Sequence, residues 1–264
     1  MKKLKIIPWG IGIGLLALIV ITVIVVSFFL DSIVKTGMET VGPKIIQVPI
    51  KVDSVGLSAL TGSAKIKGLV IGNPEGYKTP QAISVGLVAV GVNPLSVLSD
   101  KIVVRSVRVE ALEITFEGGL RGGLRENNLS KIMDNVNATA KKGGPASTNA
   151  TSQAKPAKKF EVDDVLITGA KIHVNFTGLG GMTLPLPPIH LADLGKDSNG
   201  ITATDLTRRV LDAITSATLK TVSSAVTDIG KGAESVGKDA GKTVGKGVNK
   251  ITKGIGGLFN RTTN

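Results

Sequence analysis

Residues 102–117 put sixteen residues into one period-two pattern, and few folds have room for a strand that long. Val107, Val109 and Ala111 share one face, and Leu112, Ile114 and Phe116 continue in the opposite phase. A slip of this kind marks a bulge at Ala111-Leu112, which bends the strand and keeps one side apolar. Residues 160–177 repeat the theme. Phe160, Val162, Leu166, Ala170, Ile172, Val174 and Phe176 all carry even numbers, while Lys171, His173 and Asn175 face away. At about 3.3 Å per residue, such strands span more than about 50 Å, against a usual length of about five or six residues. Long, bulged strands with one apolar face make a strongly curved sheet. Its apolar face must be covered or must serve as a binding surface.

Shorter stretches supply the neighbours. Ile46, Val48, Ile50 and Val52 alternate with Gln47, Pro49, Lys51 and Asp53, which predicts a half-buried strand, and Pro49 places it at an edge. Residues 63–72 continue in kind, with a phase slip at Gly68. Asn73-Pro74-Glu75-Gly76 has the residues of a tight turn. Residues 82–92 are apolar or small on both faces, so this strand is central. Asn93 to Leu98 reads as a short helical turn, and residues 182–191 as a proline-rich edge strand. His173 and His190 are expected to be surface residues of the sheet. Helices are expected over 128–136 and after 204, and the stretch 138–159, with no apolar residue larger than alanine, reads as a flexible linker.

Charge narrows the function classes. The net charge is +12, but the excess sits on Lys2, Lys3 and Lys5, on the linker, and on residues 219–264. The strand-forming part is close to neutral. A nucleic-acid-binding domain normally carries its basic charge on the folded face. Aromatic residues, at 3%, are too few for a base-stacking platform, so no nucleic-acid partner is expected. Cysteine is absent, and with two histidines in the chain a histidine-rich metal site is not available. No nucleophile elbow or zinc spacing occurs. Strict alternation sets Asp163 and Asp164 on opposite faces of a strand, where they cannot act as a dyad. No enzymatic activity and no cofactor or metal are expected.

Residues 9–30 carry no charge. Twenty-two residues at 1.5 Å each give about 33 Å, enough to cross a bilayer's hydrocarbon core. A cleaved signal peptide is the alternative, but its apolar run is shorter, about 7 to 15 residues, and ends at a small-residue site that Phe28-Phe29-Leu30-Asp31 lacks. The three preceding lysines predict a cytoplasmic N-terminus with the body on the other side.

Taken together, "VPIKVDSVGLSALTGSAKIKGLVIGNPEGY" followed by "LSDKIVVRSVRVEALEITFEGG", and "KFEVDDVLITGAKIHV" with "PLPPIHLADLG", resemble the AsmA-like envelope proteins of Gram-negative bacteria. The likeness covers roughly residues 1–215. The larger relatives look like bridge-type lipid-transfer proteins, whose stacked curved sheets form a groove for acyl chains. The resemblance implies that the apolar set here lines such a groove: Ile46, Val48, Ile50 and Val52; Val107, Val109, Leu112, Ile114 and Phe116; Phe160, Val162, Leu166, Ile172, Val174 and Phe176. It implies a bacterial inner-membrane protein, single-pass, with its body in the periplasm and membrane lipids or an envelope protein as partners. This chain holds about one groove repeat, too little to bridge an envelope alone. Two readings follow: a lipid-binding or lipid-transfer groove, or a structural scaffold whose apolar face is filled by its own helices or by a partner.

The C-terminal stretch "SVGKDAGKTVGKG" contains Gly241-Lys242-Thr243, the tail of a phosphate-binding loop. That loop needs a glycine five residues before Gly241, where Val236 stands, and a preceding strand that is missing. No nucleotide partner is expected. Apolar residues from Val222 through Val226, Ile229, Val236, Val244, Val248, Ile251 and Ile255 to Leu258 recur with a period of 3.6, that of an amphipathic helix. Lys242, Lys246 and Lys250 lie off that stripe. Nine glycines from Gly230 on cost about 1 kcal/mol each in a helix, so the tail needs a surface. An anionic membrane surface, reached through the stripe and Phe259, is one choice. Packing on the sheet and disorder are the others. Thr202 and Asp205 resemble a capping box at the start of the helix that leads into this tail.

The expected fold is mainly β with flanking helices: an N-terminal transmembrane helix, one strongly curved antiparallel sheet of long bulged strands, and a C-terminal amphipathic helix. The expected divisions are 1–32 for the tip and anchor, 33–137 and 160–200 for the sheet, 138–159 for the linker, and 201–264 for the helix and tail.

Overall fold

The structure is a computed structural model that describes residues 30–118, 124, 126–142, 158–176 and 180–236. The anchor expected over 9–30 falls outside these but for its last residue, as does the tail beyond 236. Among the described residues no helix is long and apolar enough to cross a membrane. Helix α1 covers residues 30–46. Strands β1 (Ile50–Ser58), β2 (Ser63–Gly72) and β3 (Gln81–Val92) follow, then a 3₁₀ turn (Pro94–Leu98) and the long β4 (Lys101–Gly118). Helix α2 (Asn128–Lys141) leads to β5 (Lys159–Thr168), β6 (Lys171–Phe176), β7 (Gly180–Pro185), β8 (Ile189–Leu194) and helix α3 (Ala203–Val236).

The eight strands form one open sheet in the order β1-β2-β3-β4-β5-β8, with β6 beside the second half of β4 and β7 beside β6. β4 has 18 residues, one more at each end than the sixteen of its sequence pattern. The expectation of an antiparallel sheet is corrected at its centre. β4 runs parallel to both β5 and β6, Lys101 pairing with Lys159 and Ile114 with Ile172. A parallel pair needs a crossover connection, and the segment containing α2 provides it. The second long strand is divided at Gly169, where φ is +65°.

The phase slips fall on one line across the sheet. Asp53, Gly68, Gly86, Ala111 and Gly169 stand opposite one another on successive strands, since the residues on either side of each are paired in unbroken register. Gly68 and Ala111 have φ of +59° and +53°. The left-handed residue turns the strand over, so Val109 and Leu112 face the same way though three positions apart. Gly86 has no side chain because the Ala111 methyl is there; a Cβ on Gly86 would lie 3.0 Å from it. A second slip has an extra residue. Val92 pairs with Val104 and Gly91 with Ser106, so Arg105 bulges. Opposite Arg105 on β5 lies Asp163, and Val162 and Val165 therefore both face inward. The strict even-numbered alternation expected for 160–177 is corrected accordingly. Val165 and Ile167 point into the core at 3% and 1% exposure, and Leu166 points to the other face.

The predicted strand at Ile46–Val52 is also shortened. Ile46 closes α1, Gln47 adopts φ +56° and donates its N–H to Pro43 O at 2.9 Å, a left-handed helix stop, and the strand begins at Ile50. Four alternating residues are too few to separate a strand from the end of a helix. α1 runs back along β1 and serves its open edge. Val52 N donates to Glu39 Oε1 at 2.9 Å, Leu57 N donates to Asp31 Oδ1 at 2.6 Å, and Lys35 Nζ donates to Asp53 O at 3.0 Å. β1 is the edge strand that Pro49 announced, and its free backbone groups are taken up by charged side chains of the same chain.

α2 is held over the far end of β4 by two buried asparagines. Asn127 caps it, accepting from Ser130 N at 2.9 Å. The Asn128 carboxamide donates to Thr115 O at 2.7 Å and accepts from Glu117 N at 3.0 Å, standing where a neighbouring strand would be. Leu129, Ile132, Val136 and Thr139 form its buried stripe, and the helix runs on to Lys141, four residues into the expected linker. α3 starts at the Thr202 cap, where Asp205 N donates to Thr202 Oγ1 at 3.0 Å. It buries Leu211, Ile214, Thr218 and Val222.

Candidate functional site

The two faces of the sheet differ in kind. On the outer face Arg108 and His190 both contact Asp164, each at 2.5 Å, and Lys101 contacts Glu161 at 2.6 Å. The hydrogen bond from His190, opposed by partial desolvation and reinforced by Arg108, holds the Asp164 carboxyl below the usual aspartate range. His173 lies within 3.1 Å of Thr183 Oγ1. These are polar contacts on a solvated sheet, each member of the Asp164 and Glu161 pairs at least 15% exposed. Among the described residues no group of three or more acids and histidines is placed to hold a metal ion.

The inner face divides at the Gly68–Ala111 line. On one side Leu112, Ile114, Phe116, Ile172 and Val174 are no more than 1% exposed. Val52, Val162, Ile46 and Val48 are also core, at 3% or less. A ligand reaches none of these nine unless covering segments move. On the other side, register sets two apolar rows across the sheet. One is Val55–Ile66–Val88–Val109–Ile167, and the other is Leu57–Ala64–Val90–Val107–Val165. Their far ends on β5 are sealed, while Ile66, Val88, Val109, Ala64, Val90 and Val107 in the middle are half-buried. Two strand spacings of about 4.8 Å separate β2 from β4, so this strip is about 10 Å wide, room for an acyl chain.

Of the residues named from sequence, Val107 and Val109 stand in the strip. Ile50 and Phe160 are half-buried outside it, Ile50 beyond the Asp53–Gly68 line opposite Ile71 and Phe160 opposite Ile102. Leu166 is half-buried on the outer face. Phe176 ends β6, and its side chain lies outside what is described. Of the tail set, Val236 ends α3, and Lys242, Val244, Lys246, Val248, Lys250, Ile251, Ile255, Leu258 and Phe259 lie outside the described residues. Ile66, Val88 and Val90 were missed. Residues 82–92 are apolar or small throughout, so neither face of β3 stands out locally. The slip at Gly86, aligned with Gly68 and Ala111, is the signal that assigns Val88 and Val90 to the inner face. Two open clefts lie along the β1 edge: one between Asp31 and Lys65, against the β1 ends of the rows at Val55 and Leu57, the other between Glu39 and Pro49. Both are shallow, and neither has the continuous apolar lining of the strip.

Compared with known protein families, residues 1–183 match the AsmA family. No curated protein and no solved structure matches the chain.

Proposed function

The chain belongs to the AsmA family, and from that premise we propose that it is a membrane-anchored envelope protein that holds lipid acyl chains on the half-open strip of its sheet, without catalysing a reaction. The family supports an envelope-related, lipid-handling role. The observation that carries the finer reading is the pair of apolar rows whose middles are left partly exposed beside a fully buried core. A binding surface for an alkyl chain needs contiguous apolar area and no directional polar group, and Ile66, Val88, Val90, Val107 and Val109 provide that. Residues 9–30 hold the protein in the bacterial inner membrane with the body in the periplasm, and the basic tail adds contact with anionic lipid. The competing reading is a scaffold without lipid, favoured by the complete burial of Ile114, Phe116 and Ile172 under the protein's own segments.

The test is phospholipid retained per chain after exhaustive detergent exchange of the full-length protein, measured by extraction and mass spectrometry. Val88→Asp and Val109→Asp are expected to lose a bound phospholipid that the wild type and Leu166→Asp, on the outer face, keep. Equal lipid content in all four proteins, with unchanged cooperative unfolding, would move the assignment to the scaffold.

A further inference from the structure

Among the described residues six large apolar side chains stand exposed, and five of them gather at one end of the sheet: Ile33, Leu60, Leu95, Val97 and Leu98. Leu60 tips the β1–β2 turn. Leu95, Val97 and Leu98 sit in the 3₁₀ turn between β3 and β4. The two turns touch, because Val92 N donates to Gly62 O at 2.6 Å and a Cβ on Gly62 would lie 2.8 Å from Pro94. Ile33 belongs to the first described turn of α1, where Asp31 binds Leu57 N beside the same end.

The leucines are held outward by a fixed frame. Ser96 turns inward, donating to Asn93 O at 2.6 Å and accepting from Val103 N at 2.9 Å. Asn93 Oδ1 accepts from Leu95 N at 3.2 Å, and Lys158 Nζ bonds the carbonyls of Val97 and Ser99. Residues three apart eclipse in a 3₁₀ turn, so Leu95 and Leu98, 80% and 87% exposed, project side by side. Single exposed leucines are ordinary; a cluster on adjoining rigid turns is a contact surface. Its place identifies the contact. The uncharged run of residues 9–30 leads directly into α1 at this end.

We propose that this end of the sheet docks on the phospholipid bilayer, with Leu60, Leu95 and Leu98 inserted at the level of the headgroups and upper acyl chains. The inference rests on reading residues 9–30 as a membrane anchor. It stands the strands upright on the membrane, with the β2–β3 turn at Glu75 distal. The Leu57–Ala64–Val90–Val107 row is then the membrane-proximal edge of the strip, where an acyl chain passes from bilayer to protein.

The absence of cysteine allows single labels in the full chain. Leu60→Cys, Leu95→Cys, Leu98→Cys and, as the distal reference, Glu75→Cys are each labelled with an environment-sensitive fluorophore. Each protein is reconstituted into phosphatidylethanolamine–phosphatidylglycerol vesicles containing phospholipid spin-labelled near the headgroup. Quenching at positions 60, 95 and 98 and none at 75 is the expected result. Adding Leu95→Asp and Leu98→Asp to the Leu60→Cys protein is expected to abolish its quenching while the chain still floats with the vesicles. Labels at 95 and 98 as unquenched as that at 75, in a chain that floats, would overturn the docking face alone. Shielding of those labels from aqueous iodide without lipid quenching would also overturn it, since a protein segment would then cover the leucines. A chain that does not float with the vesicles would overturn the anchor and the docking face together.

Discussion

Val109 and Ile114 lie five residues apart on one strand and face the same side of the sheet, yet Ile114 is fully buried and Val109 is not. Between them runs the Asp53–Gly68–Gly86–Ala111–Gly169 line. Beyond it, α2 is fastened over β4 by Asn127 and Asn128, and the inner face of β3, β4 and β6 is a packed core, while Ile50, Leu69 and Ile71 toward the β1 edge are half-buried. Before it, α3 seals the β5 and β8 side and α1 serves the β1 edge, and the middle of β2, β3 and β4 stays partly exposed. Hydrophobicity does not distinguish the two regions. Coverage does, and coverage follows from where the helices are pinned.

The largest expected effect separates core from strip. Phe116→Ala, at a site with no exposure, should cost about 3–5 kcal/mol in urea denaturation of the full chain. Val109→Ala removes two half-buried methyl equivalents and should cost no more than about 1 kcal/mol. Equal losses would erase the distinction between the two regions.

A smaller effect tests the line itself. A methyl on Gly68 would be 1.9 Å from Asp53 Oδ2, and φ there is +59°. Gly68→Ala should therefore cost about 1–2 kcal/mol. Ala111→Gly relieves the same left-handed strain and should be neutral or stabilising by up to about 1 kcal/mol. Loss of stability in both variants would show that the line is not set by backbone strain.

The smallest effect concerns the sealed end, where Glu117 ties the β2–β3 turn to β4. Its carboxylate accepts from Lys78 N at 2.6 Å, Thr79 N at 2.9 Å and Thr79 Oγ1 at 2.7 Å. Burial pushes its pKa up, but these hydrogen bonds outweigh burial and hold it below the ordinary glutamate range. A group with a depressed folded-state pKa stabilises the fold above its unfolded value and loses that contribution as pH falls through the folded value. Between neutral pH and that acid range, the urea midpoint of the wild type should fall more steeply than that of Glu117→Gln. Identical slopes would detach Glu117 from the turn.

The local parts of the fold were legible. Period-two alternation located β2, β3, β4 and the β5–β6 pair, and the slips at Gly68 and Ala111 were visible as changes of phase. Thr202 and Asp205 marked the start of α3, and Pro49 the edge strand. These are properties of a strand or helix with its immediate neighbours, and a sequence pattern records them. Leu166 was assigned to the wrong face because the two slips flanking it, at Asp163 and Gly169, cancel in parity and leave the even-numbered pattern apparently unbroken.

The sequence by itself determined that this chain makes long strands with one apolar face, broken at fixed positions, and that an uncharged run long enough to cross a bilayer stands before them. Only the tertiary structure decided that β4 pairs in parallel with β5 and β6, and that Asp31 and Glu39 serve the β1 edge. It alone decided which parts of the apolar face are fully buried and which stay partly exposed, and it gathered Leu60, Leu95 and Leu98 onto one end. The physical reason is that alternation specifies which way a side chain points, whereas pairing partners and covering helices depend on residues distant in sequence. Burial, and with it the difference between a core and a binding surface, is settled by those distant residues.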